Sequence, residues 1–265
     1  MGWQSWLVLA FVVPWCLLAT LRHATPAALC ISLALAILVL MARAATPLAA
    51  VIGGLLCAVL TLGWTPWYHS ALPALITLFV LTWAATRFGR ARKQQLGVAE
   101  DKRGRNAAQV AANLGVAGLA AASSLMHPVP DSGYTVMVVA ALAEATADTL
   151  ASELGEVVGG QPVLVTTFRR VAAGTDGAIS LAGTVAGVCG ALVVATISQT
   201  TLKLSVGDTA AAALGAVGGL FVDSLLGATI ERRGWLNNDA VNFLSTLAAA
   251  LIALLLHRTA FVGLS

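Results

Sequence analysis

Residues 133–154 read GYTVMVVAALAEATADTLASEL, and the rest of the chain follows from how that stretch is understood. It is long and apolar enough for a transmembrane helix, which needs about 20 residues. It also carries Glu144, Asp148 and Glu153, and an ionisable group inside a bilayer costs several kcal/mol unless it is paired or hydrated. At helical spacing Glu144, Asp148 and Ser152 fall on one stripe, flanked by Thr149, while Glu153 lies nearly opposite Glu144 and needs a different partner. A membrane helix with a polar stripe is therefore the element around which the protein is organised.

The composition agrees. Of 265 residues, 58% are hydrophobic and only 10% are charged, against about a quarter charged in soluble proteins. Nine apolar windows stand out: 4–21, 26–42, 47–64, 69–87, 107–126, 133–154, 178–201, 207–230 and 240–257. The sequence thus predicts an all-α polytopic integral membrane protein with eight or nine transmembrane helices in one membrane domain. Residues 1–87 form a scaffold of four spans, 88–106 a basic loop, and 107–265 a motif-bearing helical region. The run Trp6 to Leu21 lacks a preceding basic region and a tidy cleavage site, so it reads as a retained first span.

Basic residues set the orientation. Twelve of fifteen (Arg43, Arg87, Arg90, Arg92, Lys93, Lys102, Arg103, Arg105, Arg169, Arg170, Arg232 and Arg233) share one side, with Arg22, Lys203 and Arg258 opposite. The N-terminus and the polar loops are expected in the cytoplasm, in a cell inner membrane. The net charge of +3 gives no reason to expect nucleic acid. The four cysteines lie in apolar runs without CxxC or metal spacing and read as buried apolar residues. The four histidines do not cluster, GxxxxGK[ST] and GxSxG are absent, and neither a Walker loop nor a hydrolytic triad is expected.

Four further polar groups need explaining. Val222-Asp223-Ser224-Leu225 echoes Ala147-Asp148-Thr149-Leu150 and would face it across one cavity. Asn237, Asn238 and Asp239 are helix-capping types, and Asn242 follows Asn238 on the same face. Gly174-Thr175-Asp176-Gly177, feeding a helix with Arg169 and Arg170 upstream, has the make-up of a phosphate-binding turn. Arg105 precedes a stripe of Asn106, Gln109 and Asn113. All these groups lie at one end of their spans. The carboxylates Glu144, Asp148 and Asp223 suit a hard cation such as Mg²⁺ bridging to phosphate, with pairing to Arg as the structural alternative.

Read together, GRNAAQVAANLG (104–115), AEATADTLASELG (143–155), TTFRRVAAGTDGAISLAGTVAG (166–187), GLFVDSLLGATIE (219–231) and LNNDAVNFLSTLAAAL (236–251) resemble the transmembrane-protein-19-like integral membrane family. The family's motif usually has Asn where Thr146 stands. Its best understood branch comprises phytyl-phosphate kinases, similar in turn to CTP-using isoprenoid alcohol kinases. The resemblance implies a nucleotide-dependent, Mg²⁺-dependent kinase converting an isoprenyl or phytyl monophosphate to its diphosphate. Its partners would be an isoprenoid lipid phosphate, CTP or another nucleoside triphosphate, and membrane lipids. In that reading Glu144, Asp148 and Asp223 hold the metal and carry catalysis. Arg105, Arg169 and Arg170 clamp phosphates, the 174–177 turn cradles one, and Ser224, Asn238, Asp239 and Asn242 join the nucleotide site. A secondary transporter of a small or lipid-linked anion and a lipid cytidylyl- or phosphatidyltransferase are the competing readings.

Overall fold

A computed structural model describes residues 2–62, 67–98, 104–127 and 131–262. Lys102 and Arg103 of the basic loop lie outside the described residues. Every apolar window of the sequence is a helix: α1 (Trp3–His23), α2 (Pro26–Met41), α3 (Pro47–Thr61), α4 (Leu72–Arg87), α6 (Ala107–Met126), α7 (Ser132–Val158), α8 (Leu181–Thr201), α9 (Val206–Thr229) and α10 (Asn238–Val262). The short α5 (Arg90–Leu96) lies within the basic loop, and a two-stranded hairpin, β1 (Val163–Leu164) with β2 (Ala178–Ile179), joins α7 to α8.

Local chemistry sets the helix starts. Thr25 and Thr46 each accept a bond from the third residue of a helix that begins with Pro, the position where a missing N–H costs nothing. Asp131, Ser180, Ser205 and Asn237 cap α7, α8, α9 and α10. Asn106 and Gln109 form a reciprocal capping box on α6, so they complete each other's bonds.

The span count is lower than the sequence windows predict. Among the described residues six helices are long and apolar enough to cross a membrane: α1, α6, α7, α8, α9 and α10. The α4–α5 pair, bent by 60°, makes a seventh if taken as one span. Helices α2 and α3 have only 16 and 15 residues, roughly 22–24 Å at 1.5 Å per residue against a hydrocarbon core of about 30 Å. Their apolar windows run on into the turns that end them, and a windowed reading cannot see those ends.

The centre of the bundle is α7, which contacts α4, α6, α8, α9 and α10 and buries Val136 and Val138 through Ala147 continuously. Small residues let its neighbours close in. A Cβ on Gly183 or Gly187 of α8 would stand 2.5 or 2.8 Å from the α7 carbonyls of Ala151 and Ala147. Gly215 and Gly219 of α9 meet α10 in the same way, 2.6 Å from the Ala249 carbonyl and 2.7 Å from the Ala249 Cβ. The cysteines are all free; Cys16 and Cys57 are buried, but Cys30 and Cys189 are exposed on outward helix faces.

Connections gather at the two ends of the bundle. At one end Gln4 and Ser5 bond Trp235, Asn237 and Asp239, and the 104–105 segment pairs with Ala44 and Thr46. At the other end His257 ties three helices together, with Nδ1 2.6 Å from Asp208 of α9 and Nε2 3.3 Å from the Ser132 hydroxyl of α7. His69 bonds the Thr201 carbonyl there.

Candidate functional site

A polar cavity of about 320 Å³ opens at the first of these ends. Helix α6 contributes Arg105 from its entrance, with Gln109 and Asn113. The C-terminal half of α7 adds Asp148, Thr149, Ser152 and Glu153. Asp223 and Ser224 come from α9, Asn238 and Asn242 from α10, and Gly174, Thr175, Asp176 and Gly177 from the loop above. The two Asp-hydroxyl-Leu turns therefore do face one cavity, and the carboxyl groups of Asp148 and Asp223 lie against each other. The Arg105 guanidinium donates to Thr149 Oγ1 at 3.1 Å and sets its charge beside Asp148.

Close backbone approach fixes the roof. Gly177 has φ +72°, and a Cβ on it would lie 2.2 Å from the Ala228 nitrogen of α9; Gly227 in turn sits under the Gly177 nitrogen. Only glycine meets both demands at 177, the left-handed backbone and the contact. The turn is held against α9 and does not itself open a helix, as the sequence reading had it. Strand β2 intervenes, and α8 begins at Leu181 with the Ser180 hydroxyl accepting from Gly183 N at 3.1 Å. Ser180 and Gly183 line the cavity as well.

Five expected residues stand elsewhere. Arg169 and Arg170 are exposed on the reversal between β1 and β2, where Phe168 adopts φ +54°, and they do not line the cavity. Asn106 spends its side chain on the α6 cap. Asp239 accepts from Ser5 Oγ at 2.5 Å and joins α10 to α1. Glu144 lies below the cavity, fully buried, against Gly219 of α9. Thr146 is also fully buried and returns its hydroxyl to the Leu142 carbonyl at 2.8 Å. Among the described residues no three carboxylates, histidines or cysteines converge as a metal cage.

Glu153 finds its partner in Lys93, which is buried on α5, with Thr86 Oγ1 donating to it at 2.9 Å. Lys93 is therefore turned inward, into the bundle. Glu156 and Glu231, which are not among the site residues expected from the sequence, also line the cavity. Glu156 is one turn beyond Ser152, where the stripe could have been extended. Glu231 sits in a short 3-10 turn (Glu231–Arg233) that looks like loop.

Two features give the site its chemical character. Six carboxylates line it (Asp148, Glu153, Glu156, Asp176, Asp223 and Glu231), with Arg105 as the one basic side chain among the described lining residues. In addition, Oδ1 of Asp223 in the cavity and both oxygens of Glu144 below it are buried without a hydrogen-bond partner among the described residues. Ser245 lies alongside both groups but gives its hydroxyl to the Asn242 carbonyl at 3.0 Å. Unpaired buried carboxylate oxygens are costly. Such a cavity takes a cation directly, or an anion only together with cations.

Comparisons with known proteins supply the lineage. The model of the family described as integral membrane protein DUF92 matches residues 30–250. An uncharacterized membrane protein of Methanocaldococcus jannaschii is 41% identical over 46% of this chain and 50% of its own length. An uncharacterized membrane protein of Synechocystis is 32% identical over 70% of this chain and 73% of its own. The chloroplastic protein VTE6 of Arabidopsis thaliana is 28% identical over 75% of this chain and 62% of its own. The match thus spans half the archaeal relative and under two thirds of the plant one. No solved structure matches. With a family model covering most of its length, this chain belongs to the DUF92 family of integral membrane proteins, in keeping with the transmembrane-protein-19-like motifs in its sequence.

Proposed function

We propose that the chain is a nucleotide-dependent kinase that converts an isoprenyl or phytyl monophosphate to its diphosphate. The observation that carries this reading is the carboxylate-lined cavity at one end of the bundle, with Arg105 at its edge and a glycine-pinned loop over it. Phosphoryl transfer asks a protein chiefly for positioning and charge neutralisation. The resemblance to phytyl-phosphate kinases supports an isoprenoid phosphate as the substrate class.

The donor set fits Mg²⁺. Asp148 and Asp223 are facing oxygen ligands, and Asp223 has an oxygen without a partner among the described residues. Mg²⁺ commonly takes only one or two carboxylates and fills its shell with water and substrate phosphates. Bound there, it would supply charge neutralisation on the nucleotide phosphates. Arg105 then orients the lipid phosphate, and Gln109, Asn113, Asn238 and Asn242 provide neutral contacts. A lipid phosphate oxygen forms the new bond to the γ-phosphorus of CTP or another nucleoside triphosphate. The bond from that phosphorus to the bridging oxygen breaks, and the nucleoside diphosphate leaves. No side chain need act as base, because a phosphate monoester is already an anionic nucleophile.

The acidity of the cavity also suits a cation carrier, and intramembrane carboxylates occur in carriers. Carriers need access from both ends. Below Asp148, however, α7 is closed from Leu142 through Val138, and Ala212 and Ala216 of α9 are fully buried beside it, which favours the one-ended reading. By the positive-inside rule the cavity end faces the cytoplasm, where nucleotide is available.

The test is direct: purified protein with Mg²⁺ and CTP is expected to turn an isoprenyl monophosphate into its diphosphate. Folded protein that fails with several chain lengths and all four nucleoside triphosphates overturns the reading. Release of pyrophosphate from CTP would establish a cytidylyltransferase instead.

A further inference from the structure

Helices α2, α3, α4 and α6 enclose a second cavity, of about 140 Å³. Its walls are apolar, formed by Leu35 and Val39 of α2, Leu75 and Phe79 of α4, and Leu114 of α6. Its mouth is basic, ringed by Arg43, Arg87 and Arg90. Arg105 and Asn113 line this slot and the polar cavity alike, so the two meet at that wall. The contact is fixed by backbone pairing: Arg105 N bonds Ala44 O at 2.9 Å, and Thr46 N bonds Arg105 O at 3.0 Å.

Two features of the slot are not explained by packing. Gly53 and Gly54 stand side by side within α3, and glycine weakens a helix. A Cβ on either would meet its nearest neighbours only at ordinary contact, 3.8 Å from Val110 and 3.5 Å from Ala36. Gly183 and Gly187 of α8 and Gly215 and Gly219 of α9, by contrast, meet approaches under 3 Å. Here they leave the slot open. At its mouth Arg43 holds φ +52°, a backbone state that glycine suits and arginine rarely adopts. Neither Arg43 nor Arg90 makes a side-chain hydrogen bond or ion pair among the described residues. Arg87 lies over Trp83 at 4.3 Å and donates to Ala42 O.

We propose that this slot holds the chain of a single-chain lipid phosphate, with its anionic head at Arg43 and Arg90 and reaching Arg105 at the shared wall. The apolar walls call for hydrocarbon and the ring of arginines for an anion. The small volume of the slot, about 140 Å³, favours one chain over the two of a bilayer phospholipid. This deepens the kinase reading and rests on it only in identifying the bound lipid with the substrate. Helices α2 to α4, which the sequence marks as scaffold, become the substrate-binding half.

The experiment is photolabelling of the full chain in phosphatidylcholine vesicles, without nucleotide, using phytyl monophosphate with a diazirine at the end of its tail. Adducts are expected on α2, α3 and α4, displaced by unlabelled phytyl monophosphate but not by equal phosphatidylglycerol or inorganic phosphate. Gly53→Leu, which fills the slot, and the doubly substituted Arg43→Gln, Arg90→Gln protein should each cut labelling at least fivefold. The second variant changes only the mouth and stands in if the first fails to fold. Adducts confined to outward faces, equal displacement by phosphatidylglycerol or phosphate, or undiminished labelling in the folded double variant would overturn the proposal. Specific labelling without turnover overturns the kinase reading alone, and turnover with labelling elsewhere overturns the slot alone.

Discussion

Lys93 of α5 reaches back into the bundle to pair with Glu153 of α7, leaving only 1% of its side chain exposed. The ammonium also donates to the Ala85 carbonyl at 2.9 Å, so one residue fastens the basic loop to α4 and to the cavity wall. Removing one partner of a buried pair leaves an uncompensated charge and costs about 3–5 kcal/mol. Lys93→Met alone is expected to lower the melting temperature sharply. Combined with Glu153→Leu it should recover most of the loss, as a double-mutant cycle in detergent would show. Equal melting temperatures for single and double variants would mean the pair holds nothing in place.

Gly219 supports the floor of the cavity. A Cβ there would lie 2.7 Å from Glu144 Cγ, 2.7 Å from Ala249 Cβ and 2.8 Å from the Ser245 carbonyl. A carbonyl and a helix cannot yield as a flexible side-chain tip can, so overpacking should cost about 1–3 kcal/mol. Gly219→Ala is expected to lower the melting temperature and, by pushing α9 outward, to reduce turnover. Gly53→Ala in α3, with only a 3.8 Å neighbour, should be neutral or stabilising. A thermal melt of the two proteins side by side decides it.

What the sequence makes legible is the set of helices and the polar face, because both are periodic. Asp148, Thr149 and Ser152 can be placed on one side of α7 from spacing alone, and the Asp223 echo points at the same place. What spacing cannot give is depth and the path of a loop. Glu144 and Asp148 share a stripe, yet one turn, about 5.4 Å, is enough to put Glu144 under Gly219 and outside the cavity. Arg169 and Arg170 look adjacent to the Gly174–Gly177 turn, but Arg170 pairs with Val163 and Arg169 bonds Leu164, which ties both to β1 before the chain reaches the turn. The role of α2 and α3 is invisible for a third reason, since a tunnel wall and a lipid-facing wall are made of the same residues.

Asp148→Asn and Asp223→Asn test the cation site. Two facing carboxylates without a bridging cation repel, so each amide is expected to hold or raise the melting temperature of the metal-free protein. Each should also reduce phosphoryl transfer by about 10²-fold or more. Activity lost with stability kept is the signature of strain retained for function. Full turnover in both variants would remove these residues from catalysis. Stability lost along with activity would make them structural.

The last prediction separates the arginines. Arg105 is the one arginine that lines both cavities among the described residues and it donates to Thr149, whereas Arg169 and Arg170 project from an exposed hairpin. Arg105→Ala should cut kcat/KM for the lipid phosphate by about 10²- to 10³-fold. Arg105→Lys should restore only part of this, because a point charge lacks the planar fork that grips phosphate. The doubly substituted Arg169→Ala, Arg170→Ala protein should keep turnover within about twofold, as surface changes away from a site do. Were the hairpin to fold down over bound nucleotide, that double variant would instead show a raised KM for nucleotide with an unchanged lipid KM. A two-substrate kinetic matrix distinguishes the outcomes, because the lipid and nucleotide constants are read independently.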